Sequence, residues 1–523
     1  MNRASAAESR HIPLRETNFG LRIAVICAML GTFMQVLDQT IANVALPYMQ
    51  GGLQASRDEI TWVLTSYVIA AAIMTAPIGW FATRFGKKNF FIVTLLGFTV
   101  TSMMCGAAQT LQEIILFRLL QGAFGAALSP LSQAIVLDRY PHEKRGPIMS
   151  IWGLVVMMGP ILGPTLGGYL TDFYSWRWVF YVNVPFGILA TIGIWLCLDD
   201  RDQKRSDVFD WLGFGFLAVG LGALQLMLDR GTTQDWFDST EIIIETVIAG
   251  LGIYLFLVHY FTADRNFIPR TLFLDRYFVP AVFVTFMISI VMLATSALLP
   301  PYLQNLGGYS VTSTGLLLAP RGAGTMISMF VLGRIVMRID LRVPIGLGFA
   351  ILLWSMWVMS NWTPDVPAAD LISVSFIQGI GMGMIFIPSN IMAFSTLPGP
   401  LRTDGTAFLN LVRNVGAAIG VSVSSTVLQN ETQIMHADLA SHVNMFNRSL
   451  GFNAPSMLWN PQITFGLQQL ETVVQRNAEI IAYSDVFRFM FYVSLPSILI
   501  VMLIRKPPRI SKQQSEDIEI VEA

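Results

Sequence analysis

The chain has 523 residues and a formal net charge of −1; 54% of its residues are hydrophobic and only 13% are charged. With a mean hydropathy of +0.57 and a charged fraction well below the roughly 25% of soluble domains, a soluble globular protein is excluded, and no basic face points to nucleic acid. Cys27, Cys105 and Cys197 lie in or at the edge of apolar segments, which argues against a disulfide framework.

Residues 1–21 are polar and hold no apolar run beside a small-residue cleavage site, so no signal peptide is expected and the first apolar segment serves as insertion signal. From there, segments of the ~20 residues that a helix needs to cross a bilayer recur to the end of the chain. They fall at 22–46, 60–81, 90–108, 112–134, 147–170, 178–198, 211–228, 241–261, 277–299, 312–333, 343–360, 371–394, 404–427 and 486–504. Fourteen spans in an all-α integral membrane protein are therefore expected. Charge orients them, because Lys and Arg concentrate in cytoplasmic loops. All six lysines fall on the side that holds both termini, whereas the other side shows only Arg57, Arg177, Arg230, Arg448, Arg476 and Arg488.

The spans group as six, two and six. After the cytoplasmic tail 1–21, a first bundle covers 22–198. The charged loop DDRDQKRSD and two linker spans occupy 199–269, a second bundle covers 270–505, and 506–523 form an acidic cytoplasmic tail. Two six-span halves around an inserted pair suit a transporter with internal symmetry. One long excursion, 429–485, falls on the outer side, and its second part, ITFGLQQLETVVQRNAEIIAY, has the spacing of an amphipathic helix. It reads either as a docking surface for an outer partner or as a cap over the bundle.

Charges deep in a span cost about 2.5–3.5 kcal/mol each on insertion scales and mark functional candidates. Asp38 lies in the first span, Arg118 in the fourth, Arg321 in the tenth and Arg413 in the thirteenth. At about 1.5 Å of rise per residue, Asp38 sits roughly 24 Å up the first span and Arg118 roughly 9 Å below the outer face. Both fall in the outer third of the bilayer. An acid and an arginine at one depth neutralise each other, and protonating Asp38 would release Arg118; the alternative is a static pair that fixes packing. Arg321 and Arg413 lie about 13–14 Å deep, near the midplane, with no carboxylate at that depth in their half. They read as cations for acidic ligands, or as side chains held by backbone carbonyls and by Asn390, Asn410 or Asn414.

In the fifth span the run GLVVMMGPILGPTLGG, from Gly153 to Gly168, repeats glycine every four residues at Gly159, Gly163 and Gly167. That stripe predicts close approach of another helix. Pro160 and Pro164 each delete a helical hydrogen bond and are able to bend the span.

These segments together resemble one group, the fourteen-span drug:proton antiporters of the major facilitator superfamily, EmrB type. The resemblance rests on MQVLDQTIANVALP (34–47) with Asp38 in the acidic position, FRLLQGAFG (117–125) with Arg118, Gln121, Gly122 and Gly125, and the Gly153–Gly168 antiporter motif. WRWVFYVNVPFG (176–187) and LMLDRG (226–231) add to it. One departure lies in GWFATRFGKK (79–88): Thr83 stands where the superfamily has an acid, while Arg84, Gly86 and Lys87 keep the basic inner turn. This weakens a gating charge network there.

The resemblance implies the major facilitator fold, with two six-helix bundles that rock about a midplane cavity while the linker pair rides outside. It implies proton-coupled export of hydrophobic, structurally varied toxic compounds from the inner membrane of a bacterium, and Arg321 and Arg413 would suit weakly acidic ones among them. Asp38 and Arg118 would couple the proton, and Gln35, Gln121, Arg321, Asn410 and Arg413 would line the substrate cavity. Within the EmrB branch it also implies a periplasmic membrane-fusion adaptor and an outer-membrane channel as partners.

No G-x-x-x-x-G-K-[ST] loop is present for an ATP-driven pump. The five histidines are scattered and no H-E-x-x-H or nucleophile elbow occurs, so neither an enzyme nor a cofactor or metal is expected. His436, Asp438 and His442 read as ordinary outer polar surface. A channel, a proton-coupled importer and a dedicated exporter of one amphiphilic metabolite, such as a fatty acid, are the competing transport readings.

Overall fold

The computed structural model describes residues 18–503, apart from 141, 200–207, 264–265, 337 and 444–463. Most of the charged loop before the linker spans, both terminal tails and the middle of the outer excursion lie outside the described residues. What is described is helical, with no strand, and it divides into two compact units.

Unit 1 comprises residues 1–269 with 399–411. Its helices are α1 (Asn18–Gly52), α2 (Arg57–Thr75), α3 (Ile78–Phe85), α4 (Lys87–Ala107), α5 (Leu111–Gly125), α6 (Leu128–Arg139), α7 (His142–Phe173), α8 (Trp178–Tyr181), α9 (Asn183–Cys197), α10 (Trp211–Arg230) and α11 (Thr240–Thr262). A capping box starts α2: Ser56 Oγ accepts from the Glu59 amide while the Glu59 carboxylate takes the Ser56 amide. Prolines set the breaks. Pro77 has no N–H for the Ile73 carbonyl, which the Ala76 amide takes instead at 3.4 Å, and α2 and α3 meet at 61°. Pro130 likewise leaves the Ala126 carbonyl without its helical donor, and the α5–α6 break falls there.

The core of unit 1 is built from α1, α2, α4 and α9 around Met34, Tyr67, Phe91, Leu95, Phe98 and Ile194. A second cluster toward the other end joins Ile41, Val63, Ile114 and Phe180. The linker pair, α10 and α11, crosses where Gly220 faces Gly252. Ile244, Val247, Leu251, Tyr254 and Phe261 of α11 are exposed, as a lipid-facing helix requires.

Unit 2 comprises residues 270–398 and 412–523. It contains α12 (Thr271–Leu274), α13 (Phe278–Pro301), α14 (Val311–Ile335), α15 (Arg342–Met359), α16 (Ala368–Ala393), most of α17 (Arg402–Ser441), α18 (Thr464–Ser494) and α19 (Pro496–Leu503). Close backbone contacts order it: Gly379 of α16 lies on the Arg321 carbonyl, and Gly348 of α15 on that of Gly381. At 40 and 31 residues, α17 and α18 are about 60 and 46 Å long, against a hydrocarbon core of ~30 Å. Both therefore continue well past the bilayer. Toward the Ser441 end of α17 a cavity of ≈ 570 Å³ lies between them and Asn305, with Gln429, Gln433, Glu471 and Glu479 in its wall.

Among the described residues twelve helices are long and apolar enough to cross a membrane, or thirteen with the bent α2–α3 pair. The chain is a multi-pass membrane protein. The fourteenth expected span, 486–504, falls on α18 and α19, which part at Leu495 because Pro496 offers no amide to the Tyr492 carbonyl.

Candidate functional site

Five helices bring a polar network into the apolar centre of unit 1. Asp38 of α1 and Arg118 of α5 are 0% and 1% exposed, and Arg118 Nη1 donates to Asp38 Oδ2 at 2.6 Å. The equal depth expected from sequence is met by this direct contact. The other carboxylate oxygen, Oδ1, accepts from Gln121 Nε2 and from Asn183 Nδ2, each at 2.9 Å. Gln121 and Arg118 lie one turn apart on α5, so the Gln121 carbonyl also accepts from Arg118 Nη1 at 2.8 Å.

Around this centre Arg118 Nε donates to the Val63 carbonyl of α2 at 3.2 Å. The guanidinium lies 4.2 Å from the centre of the Tyr67 ring and 5.7 Å from that of Phe180, a cation–π cage. Asn183 also donates to Ser102 Oγ of α4 at 3.1 Å. A buried ion pair is stable only when its remaining lone pairs and protons are satisfied. Here they are met by amides, a carbonyl and two rings, and the carboxylate is the one acidic group in the network. Such a centre can hold one proton or one cation's charge, and exchanging the two is chemistry it can perform.

The glycine stripe of α7 packs on α1 largely on the side away from Asp38. A Cβ on Gly159 would lie 2.5 Å from Val36 Cγ1, one on Gly163 would collide with the Thr40 hydroxyl, and one on Gly167 would lie 2.9 Å from Ile41 Cγ1. Thr40 Oγ1 donates across the junction to the Gly159 carbonyl at 3.1 Å. Val36 and Thr40 are each two residues from Asp38, hence about 160° round α1, so the stripe holds the helix from behind the pair. Gly168 meets nothing within 4 Å, Gly153 is buried, and Pro160 is exposed. Pro160 and Pro164 do not interrupt α7, which runs unbroken from His142 to Phe173.

In the inner turn Gly86 has φ 83°, a left-handed setting that favours glycine at the α3–α4 corner. Lys87 pairs with Asp138 at the end of α6 (2.7 Å), and Arg402 of α17 approaches the same carboxylate at 3.4 Å. Arg84 is exposed, and Thr83 donates to the Trp80 carbonyl. A charge network is therefore present despite Thr83, with Asp138 as its acid.

The expected cavity residues have separate settings. The Gln35 carbonyl caps the Ser129 amide at 3.0 Å, and Ser129 Oγ donates to Asn410 at 3.4 Å. Gln121 belongs to the Asp38 network. In unit 2, Arg321 donates to the Met292 carbonyl at 3.0 Å and to Met382 Sδ at 3.6 Å. Arg413 stands over the Phe386 ring at 5.1 Å. Among the described residues no carboxylate pairs with Arg321. His436 pairs with Glu471 at 2.8 Å, and no group of three His, Cys, Asp or Glu is placed to hold a metal among the described residues.

Sequence reasoning missed Asn183, Tyr67, Ser102 and Asp138. Asn183 stood inside the quoted WRWVFYVNVPFG segment, where a lone amide in a span was the available signal. The Tyr67 ring and Ser102 carry no such mark.

Residues 28–421 match the Major Facilitator Superfamily. Among curated relatives, the chain is 32% identical over 496 residues to the multidrug export protein EmrB of Haemophilus influenzae, covering 93% of this chain and 96% of the relative. It is 32% identical to the fatty acid resistance protein FarB of Neisseria gonorrhoeae, over 94% and 97% of the two chains. The structure is similar to that of the human organic anion transporter MFSD10, with a TM-score of 0.57 at 14% identity, covering 91% and 99% of the chains; at that identity the likeness concerns fold alone.

Proposed function

The chain belongs to the Major Facilitator Superfamily, and from that premise we propose that it is a proton-coupled antiporter exporting hydrophobic toxic compounds, weakly acidic ones among them, by alternating access. The observation that carries this reading is the buried Asp38–Arg118 pair on α1, a helix whose other side the α7 stripe holds. Protonating Asp38 removes the charge that holds Arg118, and deprotonation restores it, so proton binding changes the forces between α1 and α5. Asp38 takes its proton from the outer side and gives it up inside while the compound travels outward. Similarity to EmrB supports a broad set of substrates. Arg321, with only neutral partners among the described residues, supports acidic compounds among them.

The basic bias of the loops supports a cytoplasmic membrane location with both termini inside. The EmrB-type resemblance implies a periplasmic membrane-fusion adaptor and an outer-membrane channel. The lengths of α17 and α18 support an outer docking surface for such a partner.

A second reading is a dedicated exporter of one amphiphilic metabolite, such as a fatty acid, working without an adaptor; similarity to FarB favours it. Substrate breadth separates the two. The deciding experiment follows anilinonaphthalene sulfonate and ethidium in everted vesicles, with and without a proton gradient, for wild type and Asp38→Asn. Gradient-driven transport that is lost in Asp38→Asn is the expected result. Transport indifferent to gradient and substitution would overturn antiport.

A further inference from the structure

The LMLDRG segment at the end of α10 has no part in the cycle described above, yet it makes the polar contact between the linker pair and α2. The Thr65 hydroxyl of α2 donates to the Asp229 carboxylate. Next to it, Arg230 stands over the Trp62 ring at 5.4 Å and pairs with Glu241 of α11. Arg230 is the charge that acts on Asp229, and Glu245 of α11 feels Glu241 and Arg230. Two turns back along α10, Gly222 rests against α2, where a Cβ would find the flexible Ile73 Cδ1 at 3.3 Å and Ile69 Cγ2 at 4.0 Å.

The α2 side of this contact is a stripe, Trp62, Thr65, Ile69 and Ile73, at helical spacing. Val63 and Tyr67 are each two residues from Thr65, hence about 160° round the helix. That opposite side meets the coupling centre: the Val63 carbonyl accepts from Arg118 Nε at 3.2 Å, and the Tyr67 ring lies 4.2 Å from the guanidinium. Apolar contacts such as Gly222–Ile73 let a helix roll, because they have no preferred direction. The Thr65–Asp229 hydrogen bond does have one.

We infer that Asp229 is a positioning residue for the Asp38–Arg118 pair. By holding Thr65 it sets the rotation of α2, and so places the Val63 carbonyl and the Tyr67 ring against Arg118. The linker pair is thereby part of the coupling machinery. This rests on the reading of Asp38 as the proton-coupling group.

The test is the pH dependence of gradient-driven anilinonaphthalene sulfonate transport in everted vesicles. It compares wild type with Thr65→Val, Thr65→Ser and Asp229→Ala at matched amounts of inserted protein. Thr65→Val removes one hydroxyl and no titratable group, so it decides the matter if Asp229→Ala fails to insert. The expected result is a midpoint displaced by roughly half a pH unit or more in Thr65→Val and Asp229→Ala, with Thr65→Ser at the wild-type midpoint. An unmoved midpoint in Thr65→Val, whatever the rate, would overturn the inference. If Asp38→Asn is inactive in that same assay, the reading of Asp38 survives such a failure. If Asp38→Asn still transports on the gradient, both fall.

Discussion

In unit 1 the buried carboxylate of Asp38 meets Arg118 at 2.6 Å and two amides complete its shell, whereas in unit 2 Arg321 meets a carbonyl, a sulfur and no carboxylate among the described residues. The first arrangement is closed: charge cancels charge, and only a proton or a rearrangement disturbs it. The second keeps a net positive charge where the surroundings are apolar and screening is weak. The contrast teaches that a buried cation can be held with a carboxylate or without one; on the proposed function, the proton goes with the first and an acidic compound with the second.

The largest effect should come from breaking the closed pair. Removing one partner of a buried ion pair costs about 3–5 kcal/mol, so Asp38→Asn should lower thermal stability and reduce gradient-driven transport to background. Adding Arg118→Gln should restore most of the stability but none of the transport, read by thermal melting and vesicle assay. Recovery of transport in the double variant would make the pair a packing device.

Next, Gly163→Leu should cut transport by roughly tenfold while insertion stays normal, because the new side chain collides with Thr40 and displaces the helix that carries Asp38. Gly168→Ala, with open space around it, should behave as wild type. Equal behaviour of the two would refute the grip of α7 on α1.

For unit 2, Arg321→Gln should lower the ratio of anilinonaphthalene sulfonate to ethidium transport by roughly tenfold, equivalent to about 1.4 kcal/mol. An equal loss for both dyes would assign Arg321 to packing and erase the contrast.

The smallest effect belongs to the inner turn. Lys87 and Asp138 are partly exposed, and such pairs contribute about 0.2–1 kcal/mol. Lys87→Gln should therefore change transport by a few-fold at most, and the difference should shrink as salt rises.

Helix depth made the Asp38–Arg118 contact legible in the sequence, because rise per residue is fixed and spans start at a surface. Four-residue spacing likewise made the α7 stripe legible. Asn183 was harder to find: it opens α9 after a break at Val182, and no periodicity announces where a broken helix restarts. Gln121 was expected at the substrate cavity, yet its amide is committed to Asp38 and Arg118. Sequence places a residue on a helix face but does not reveal which neighbour will take its hydrogen bonds. The fourteenth span blurred for a related reason. Its apolar run crosses Pro496, and hydropathy averages over a break that the backbone cannot.

The unequal surroundings of the two Asp38 oxygens have a stereochemical consequence. While the pair is closed, Gln121 cannot turn its amide over, since its own carbonyl is held by Arg118, so Oδ1 faces two N–H donors as a proton arrives. A proton has no lone pair to claim there. The acid form must carry its hydrogen on Oδ2, the oxygen that Arg118 occupies. On the proposed function, proton loading and arginine binding thus compete for a single atom, Oδ2.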